Sequence, residues 1–141
     1  MSLLRTVRTA LSRRDGSRQP TRSFTDEARR AGAVHRRLPR TETVDTTRIV
    51  GSVSRAHELR RDFRPPRQQR RRSDNERYQS IVRAMNRGRE LPLIELYRLG
   101  DEYYVVDGHH RVAAALTVGQ LQMDAQVVEF LPSGYTAIVR S

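Results

Sequence analysis

The sequence predicts an α+β domain, a small mixed sheet flanked by helices, behind a basic and partly helical N-terminal extension. Three observations predict it. Charge is divided along the chain: residues 1–40 carry 11 arginines against 3 acids, residues 41–75 carry 9 against 5, and residues 76–141 carry 7 against 8. Hydrophobic patterning is concentrated in the opposite half, where helical spacing and strand-like runs alternate as helix, strand, hairpin, strand, helix, strand. Gly88, Gly100, Gly108 and Gly119 fall at the joints between those segments. The expected division is an extension over 1–45 and a folded domain over 46–141.

The front of the chain is read from short signals. In residues 2–14, Leu3, Leu4, Val7 and Leu11 share one side of an amphipathic helix, with Arg5, Arg8 and Arg13 around it. Residues 14–22 (RDGSRQPTR) have linker composition. Ser23 followed by Asp26 marks a helix start, and Gly32 marks its end. Residues 38–47 are polar and extended or loop-like, and residues 48–53 (RIVGSV) form the first strand-like run. Residues 54–63 follow, with Ser54 as their cap. Pro65–Pro66 then opens a basic loop, RQQRRRSDN.

The second half is clearer. Tyr78, Ile81, Val82 and Met85 lie at helical spacing, capped by Asp74 or Asn75 and stopped at Gly88. Residues 91–99 and 102–107 read as strands joined at Gly100–Asp101, a dipeptide suited to a tight hairpin. The run YYVV is continuous and apolar, as in a central strand buried on both faces. Residues 109–118 form a helix ending at Gly119. Residues 123–131 form another strand, and YTAIVRS adds an edge strand at the end.

The joint DGHHR, residues 107–111, concentrates polar chemistry where a strand passes into a helix. Gly108 permits a tight turn there. The first helical turn has N–H groups without intrahelical partners, and the dipole adds about half a positive charge. Imidazoles and a guanidinium at that end are disfavoured unless an anion is present. A phosphate accepts backbone N–H groups, an imidazole N–H and a forked arginine together. Gly108, His109, His110 and Arg111 are therefore the candidate phosphate-binding residues. A bracing ion pair between Arg111 and Asp107, with one histidine buried as a satisfied donor, is the alternative. Adjacent histidines on a helix diverge by about 100°, so together they make a poor zinc site.

The stretch ERYQSIVRAMNRGRELPLIELYRLGDEYYVVDGHHRVAAAL resembles the N-terminal domain of ParB-type partition proteins and, more widely, the ParB/sulfiredoxin superfamily. The resemblance covers roughly residues 46–130. It lies in a helix at 76–87, a strand opening at Leu91–Pro92–Leu93–Ile94, and the signature Gly108–His109–His110–Arg111. It implies phosphate recognition at that helix start. The signature holds the triphosphate of CTP in partition proteins, and includes a reactive cysteine in sulfiredoxin. This chain has no cysteine, so sulfinic-acid repair by such a residue is excluded, as are disulfides and cysteine-ligated zinc. The spelling Asp-Gly-His-His-Arg is most similar to the branch containing the ADP-dependent free-serine kinase. That likeness implies catalytic roles for Asp107, His109 and His110, with Glu58 as a candidate for the separate base; Asp107 is expected to orient the turn or hold Mg²⁺, or itself to serve as base.

Two functions therefore stand open. One is a ParB-like protein that binds a nucleotide (CTP, ATP or ADP) or a phosphorylated small molecule, and associates non-specifically with DNA through its front half. The other is a nucleotide-dependent phosphotransferase acting on a hydroxyl metabolite. Arg67, Arg70, Arg71 and Arg72 are the candidate nucleic-acid contacts. No helix-turn-helix segment follows residue 130, and aromatic residues are scarce among the front arginines, so stacking on single strands is not suggested. All 27 basic residues are arginine. No stretch reaches the roughly 20 apolar residues that a membrane helix needs. The expected setting is the bacterial cytoplasm, and the sequence leaves the oligomeric state open.

Overall fold

The computed structural model describes residues 19–132. The elements in chain order are β1 (Arg22–Ser23), α1 (Phe24–Ala31), β2 (Ala33–Arg36), β3 (Arg40–Asp45), β4 (Ile49–Ser52), α2 (Arg72–Asn86), β5 (Ile94–Leu99), β6 (Glu102–Asp107), α3 (His109–Val118) and β7 (Gln122–Pro132). The fold class is α+β, with a mixed seven-stranded sheet in the order β1-β4-β6-β5-β7-β2 and β3 also paired to β7. β6 is central, parallel to β4 and antiparallel to β5, and β5 runs parallel to β7.

Strand alternation distributes the apolar side chains between two faces. Ile94, Leu96 and Val105 join Val112, Ala113, Ala114 and Ala115 of α3 in the main core, which α2 closes with Tyr78. The three alanines keep α3 slim, so its backbone packs close to the sheet. On the opposite face Phe24 of α1 meets Tyr97, Tyr104 and Phe130 edge-on, at centroid distances of 5.1, 5.5 and 5.0 Å. Such tilted contacts suit the aromatic quadrupole. Close packing also explains Gly51, where any Cβ would strike the Tyr104 ring and the Arg22 carbonyl.

Many local signals hold. Ser23 caps α1 by accepting the Asp26 N–H, and Gly32 ends it in the left-handed conformation. Gly100 has φ 62° in the β5–β6 hairpin, and Gly119 ends α3.

Three expectations are corrected, and two lie outside the described residues. The boundary at residue 45 does not divide the sheet, because β1 pairs with β4 and both β2 and β3 pair with β7. β7 has 11 residues, and the polar stretch before residue 46 covers the edge it offers beyond β5. Residues 54–63 form turns rather than a helix, although Ala56, Leu59 and Phe63 are buried. Phe63 adopts φ 63°, outside the right-handed helical region, and Pro65–Pro66 follows after Arg64. α2 begins at Arg72, two residues ahead of the expected Asp74 or Asn75 cap, and Arg71 at its N-cap provides no side-chain cap. The expected helix over 2–14 and the strand YTAIVRS lie outside the described residues.

Candidate functional site

β6 delivers Asp107 and Gly108 to the first turn of α3. Gly108 is the N-cap at φ 107°, with no side-chain hydrogen bond to the turn it opens. A Cβ here would lie 2.5 Å from the Ile94 side chain and 3.3 Å from the Arg111 guanidinium. The joint therefore requires glycine twice over, for its backbone angle and for its space.

Arg111 lies across this joint. Its Nη1 donates to the carbonyls of Pro92 and Leu93 at 2.6 and 3.0 Å, and its Nη2 donates to Asp107 Oδ2 at 3.0 Å. The expectation that Arg111 clamps a ligand phosphate does not match these contacts. Pro92 and Leu93 precede the first residue of β5, so their carbonyls draw the guanidinium inward. Arg111 ties the approach to β5 to the start of α3. Asp107, expected as a catalytic and Mg²⁺-holding residue, is the acidic partner of that brace.

The two histidines separate as helical geometry requires. His109 is buried, with Nε2 2.8 Å from Ser52 Oγ at the end of β4. Ser52 Oγ also accepts the Arg55 N–H at 3.0 Å, which folds the turn after β4 against α3. Burial pushes the imidazole down to about 4, with the nearby Arg55 charge acting in the same direction, so the ring is neutral at pH 7. His109 is thus a fixed, buried anchor rather than a group open to a ligand.

His110 faces α2. Its Nε2 stands 3.7 Å from Asp74 Oδ1. Farther along, the Tyr78 hydroxyl meets Thr117 Oγ1. The two contacts progress along both helices in the same direction, so α2 and α3 lie side by side and parallel, with their starts at the same end. Burial lowers the His110 pKa, the Asp74 carboxylate opposes that shift, and Arg55 and Arg77 reinforce it.

Beside the Asp74 wall lies an open cleft of about 550 Å³, lined chiefly by Arg55, Glu58, Gln69, Arg71, Ser73 and Asp74. Arg55 Nε donates to Glu58 at 3.0 Å, which holds Glu58 on the rim with its side chain largely exposed. Neither helix has a side-chain cap at this end. Two parallel dipoles with adjacent positive ends repel each other, and Arg71 and Arg72 add charge of the same sign. Asp74 is the only acidic residue in the first turn of α2, and α3 has none. An anion in the cleft would relieve this local excess of positive charge.

The four arginines expected at nucleic acid have different surroundings. Arg70 turns inward, donating to the Pro65 carbonyl at 2.9 Å. Arg72 pairs with Glu76 at 3.1 Å but remains 93% exposed. Arg67 and Arg71 are exposed, and their side chains have no partner among the described residues. No group of three histidine, aspartate or glutamate side chains arranged to hold a metal ion occurs among the described residues. Asp107, already paired to Arg111, does not by itself fit as a Mg²⁺ site.

The sequence reading missed Ser52, Arg55 and Asp74 as parts of this site. Ser52 was legible only as part of the first strand-like run, and Arg55 only as part of the segment that follows it. Asp74 was read as a cap, and no local signal reveals that it faces His110 across 36 positions of chain.

No protein-family model and no curated protein matches this chain. Among solved structures, sulfiredoxin from Arabidopsis thaliana is similar, with 15% identity, coverage of 62% of this chain and 83% of that chain, and a TM-score of 0.42. No helix among the described residues is long and apolar enough to cross a membrane.

Proposed function

We propose that this protein binds a phosphate-bearing ligand in the cleft at the start of α2, beside the start of α3. The ligand class is a nucleotide such as CTP, ATP or ADP, or a phosphorylated small molecule. The observation that carries the reading is the pair of parallel helix starts without side-chain caps, opening beside a cleft with Arg55 and Arg71 on its wall. Backbone N–H groups and two arginines suit a phosphate, and His110 lies within reach of the Asp74 wall. Arg111 positions the α3 start and does not contact the ligand.

Calorimetry with CTP, ATP, ADP and inorganic phosphate tests the reading. Arg55→Ala and Arg71→Ala should each weaken binding about 10- to 100-fold, the usual size of one charge-assisted hydrogen bond. No heat of binding from any of the four probes at millimolar concentration would remove the reading.

Association with DNA is part of the same proposal, supported by the exposure of Arg67, Arg71 and Arg72 along the segment that leads into α2, of which Arg71 lines the cleft. Binding of duplex should be sequence-blind and fall steeply with salt. Failure to retain duplex on a filter at low salt would remove this part. The proposed setting is the bacterial cytoplasm.

One observation favours the phosphotransferase as a second reading. Glu58 stands on the cleft wall with its carboxylate largely exposed, where it is open to a substrate hydroxyl. Nucleotide turnover that depends on a small hydroxyl metabolite and disappears in Glu58→Gln would favour it. Asp107, bound to Arg111, is the poorer candidate base.

A further inference from the structure

We propose that Asp74, on the cleft wall, is a positioning residue that holds His110 behind that wall, so that a phosphate ligand in the cleft is taken up together with one proton on His110. This rests on the phosphate-binding reading and adds the identity of the group that titrates with the ligand.

The geometry separates the adjacent histidines into two roles. His109 has its Nε2 committed to Ser52 and is enclosed by the core. His110 is partly exposed and directs Nε2 towards a carboxylate on the neighbouring helix, which also lines the cleft. At 3.7 Å the pair is longer than a hydrogen bond, so Asp74 orients the ring electrostatically without fully committing its N–H. A carboxylate behind an imidazole stabilises the protonated ring and fixes its direction.

The groups facing His110 come from three elements. α2 contributes Asp74 and Arg77, the turn after β4 contributes Arg55, and α3 contributes the neighbouring neutral His109. Asp74 favours protonation and the two arginines oppose it. Burial also opposes it, leaving the unliganded ring below its ordinary value. A phosphate in the cleft adds negative charge and offsets Arg55. The His110 pKa must therefore rise on binding. By linkage, affinity increases as pH falls through the liganded pKa and levels off below the unliganded one. The proton comes from solvent, and no bond other than N–H is made or broken.

The test uses the full chain labelled with nitrogen-15. Imidazole signals are followed from pH 4.5 to 8 with and without ADP or inorganic phosphate, and His110→Gln identifies the His110 signal. The expected result is a His110 midpoint that rises with either probe, and that lies lower in unliganded Asp74→Asn than in wild type. Calorimetric affinity for ADP should tighten several-fold from pH 7.5 to 5.5 in wild type, and His110→Gln should largely flatten that dependence. Far-UV circular dichroism confirms that the variants fold. If ADP binds but the His110 midpoint ignores either the ligand or Asp74→Asn, the proposal is overturned while the phosphate site stands. If neither probe binds at any pH, the site and the proposal fall together.

Discussion

The starts of α2 and α3 lie side by side, yet they use their basic groups in opposite ways. At α3, Arg111 is bound to two carbonyls and Asp107, and His109 is bound to Ser52. At α2, Arg71 and Arg72 are exposed, Arg72 pairs with Glu76 one turn on, and Asp74, the acid of the first turn, faces His110. The first start is fixed by its side chains, whereas at the second Arg71 has no partner among the described residues and Arg72 pairs only with Glu76 at the surface. The difference teaches that a motif rich in polar residues can be mainly architecture, while its plainer neighbour presents the open charge. His110 is the exception at the α3 start, because it looks across to the α2 side.

The contrast is broken most severely at Gly108. Gly108→Val forces a branched side chain into φ 107° and against Ile94. Strain and overpacking together should destabilise the fold by about 4 kcal/mol in urea unfolding. A loss under 1 kcal/mol would mean that the α3 start is not rigid.

The next effect is acid sensitivity from His109. Its folded pKa of about 4 lies below the ordinary 6.5, so the unfolded chain takes up the proton first. The contribution is complete above pH 6.5, declines as pH falls, and by pH 4 amounts to a loss of roughly 3 kcal/mol. Urea midpoints of wild type and His109→Gln at pH 7.5 and 4.5 measure it. The variant should lose the part of the pH dependence that belongs to this ring.

Arg111→Ala and Arg71→Ala sharpen the comparison directly. Arg111→Ala strips two carbonyls and Asp107 of their donor and should cost about 2 kcal/mol. Arg71→Ala should leave stability within about 0.5 kcal/mol and weaken ligand binding instead. Stability costs of equal size would erase the distinction between the two helix starts.

The smallest effect belongs to Arg72→Ala. Its pairing with Glu76 is solvent-exposed, so unfolding should hardly change. If Arg72 contacts a DNA phosphate, the log–log salt slope of duplex binding should become shallower by about 0.9.

The sequence made the apolar half of the fold legible because period and punctuation agreed there. β5, the hairpin at Gly100, the central β6, and α3 from His109 to Gly119 all lie close to their expected places. The front half resisted because its strands are short or polar. β3 reads RTETVD and finds its place only through β7, about 80 positions away. In the site, Gly108 was legible from backbone chemistry alone. The fate of Arg111 was open between brace and clamp, since the choice depends on carbonyls of Pro92 and Leu93 that no local pattern identifies. The facing of His110 and Asp74 depends on helix packing and could not be read from either segment.

β7 has a consequence for how the molecule comes together. This one strand is hydrogen-bonded to β5 on one side and to β2 and β3 on the other. During synthesis residues 33–45 emerge early, yet their pairing partner is among the last parts of the described chain to leave the ribosome. Long-range closure of this kind slows folding and leaves strand edges uncovered in the interval. Nascent chains halted before residue 122 should therefore be prone to aggregate, and the final eleven described residues act as the clasp that closes the sheet.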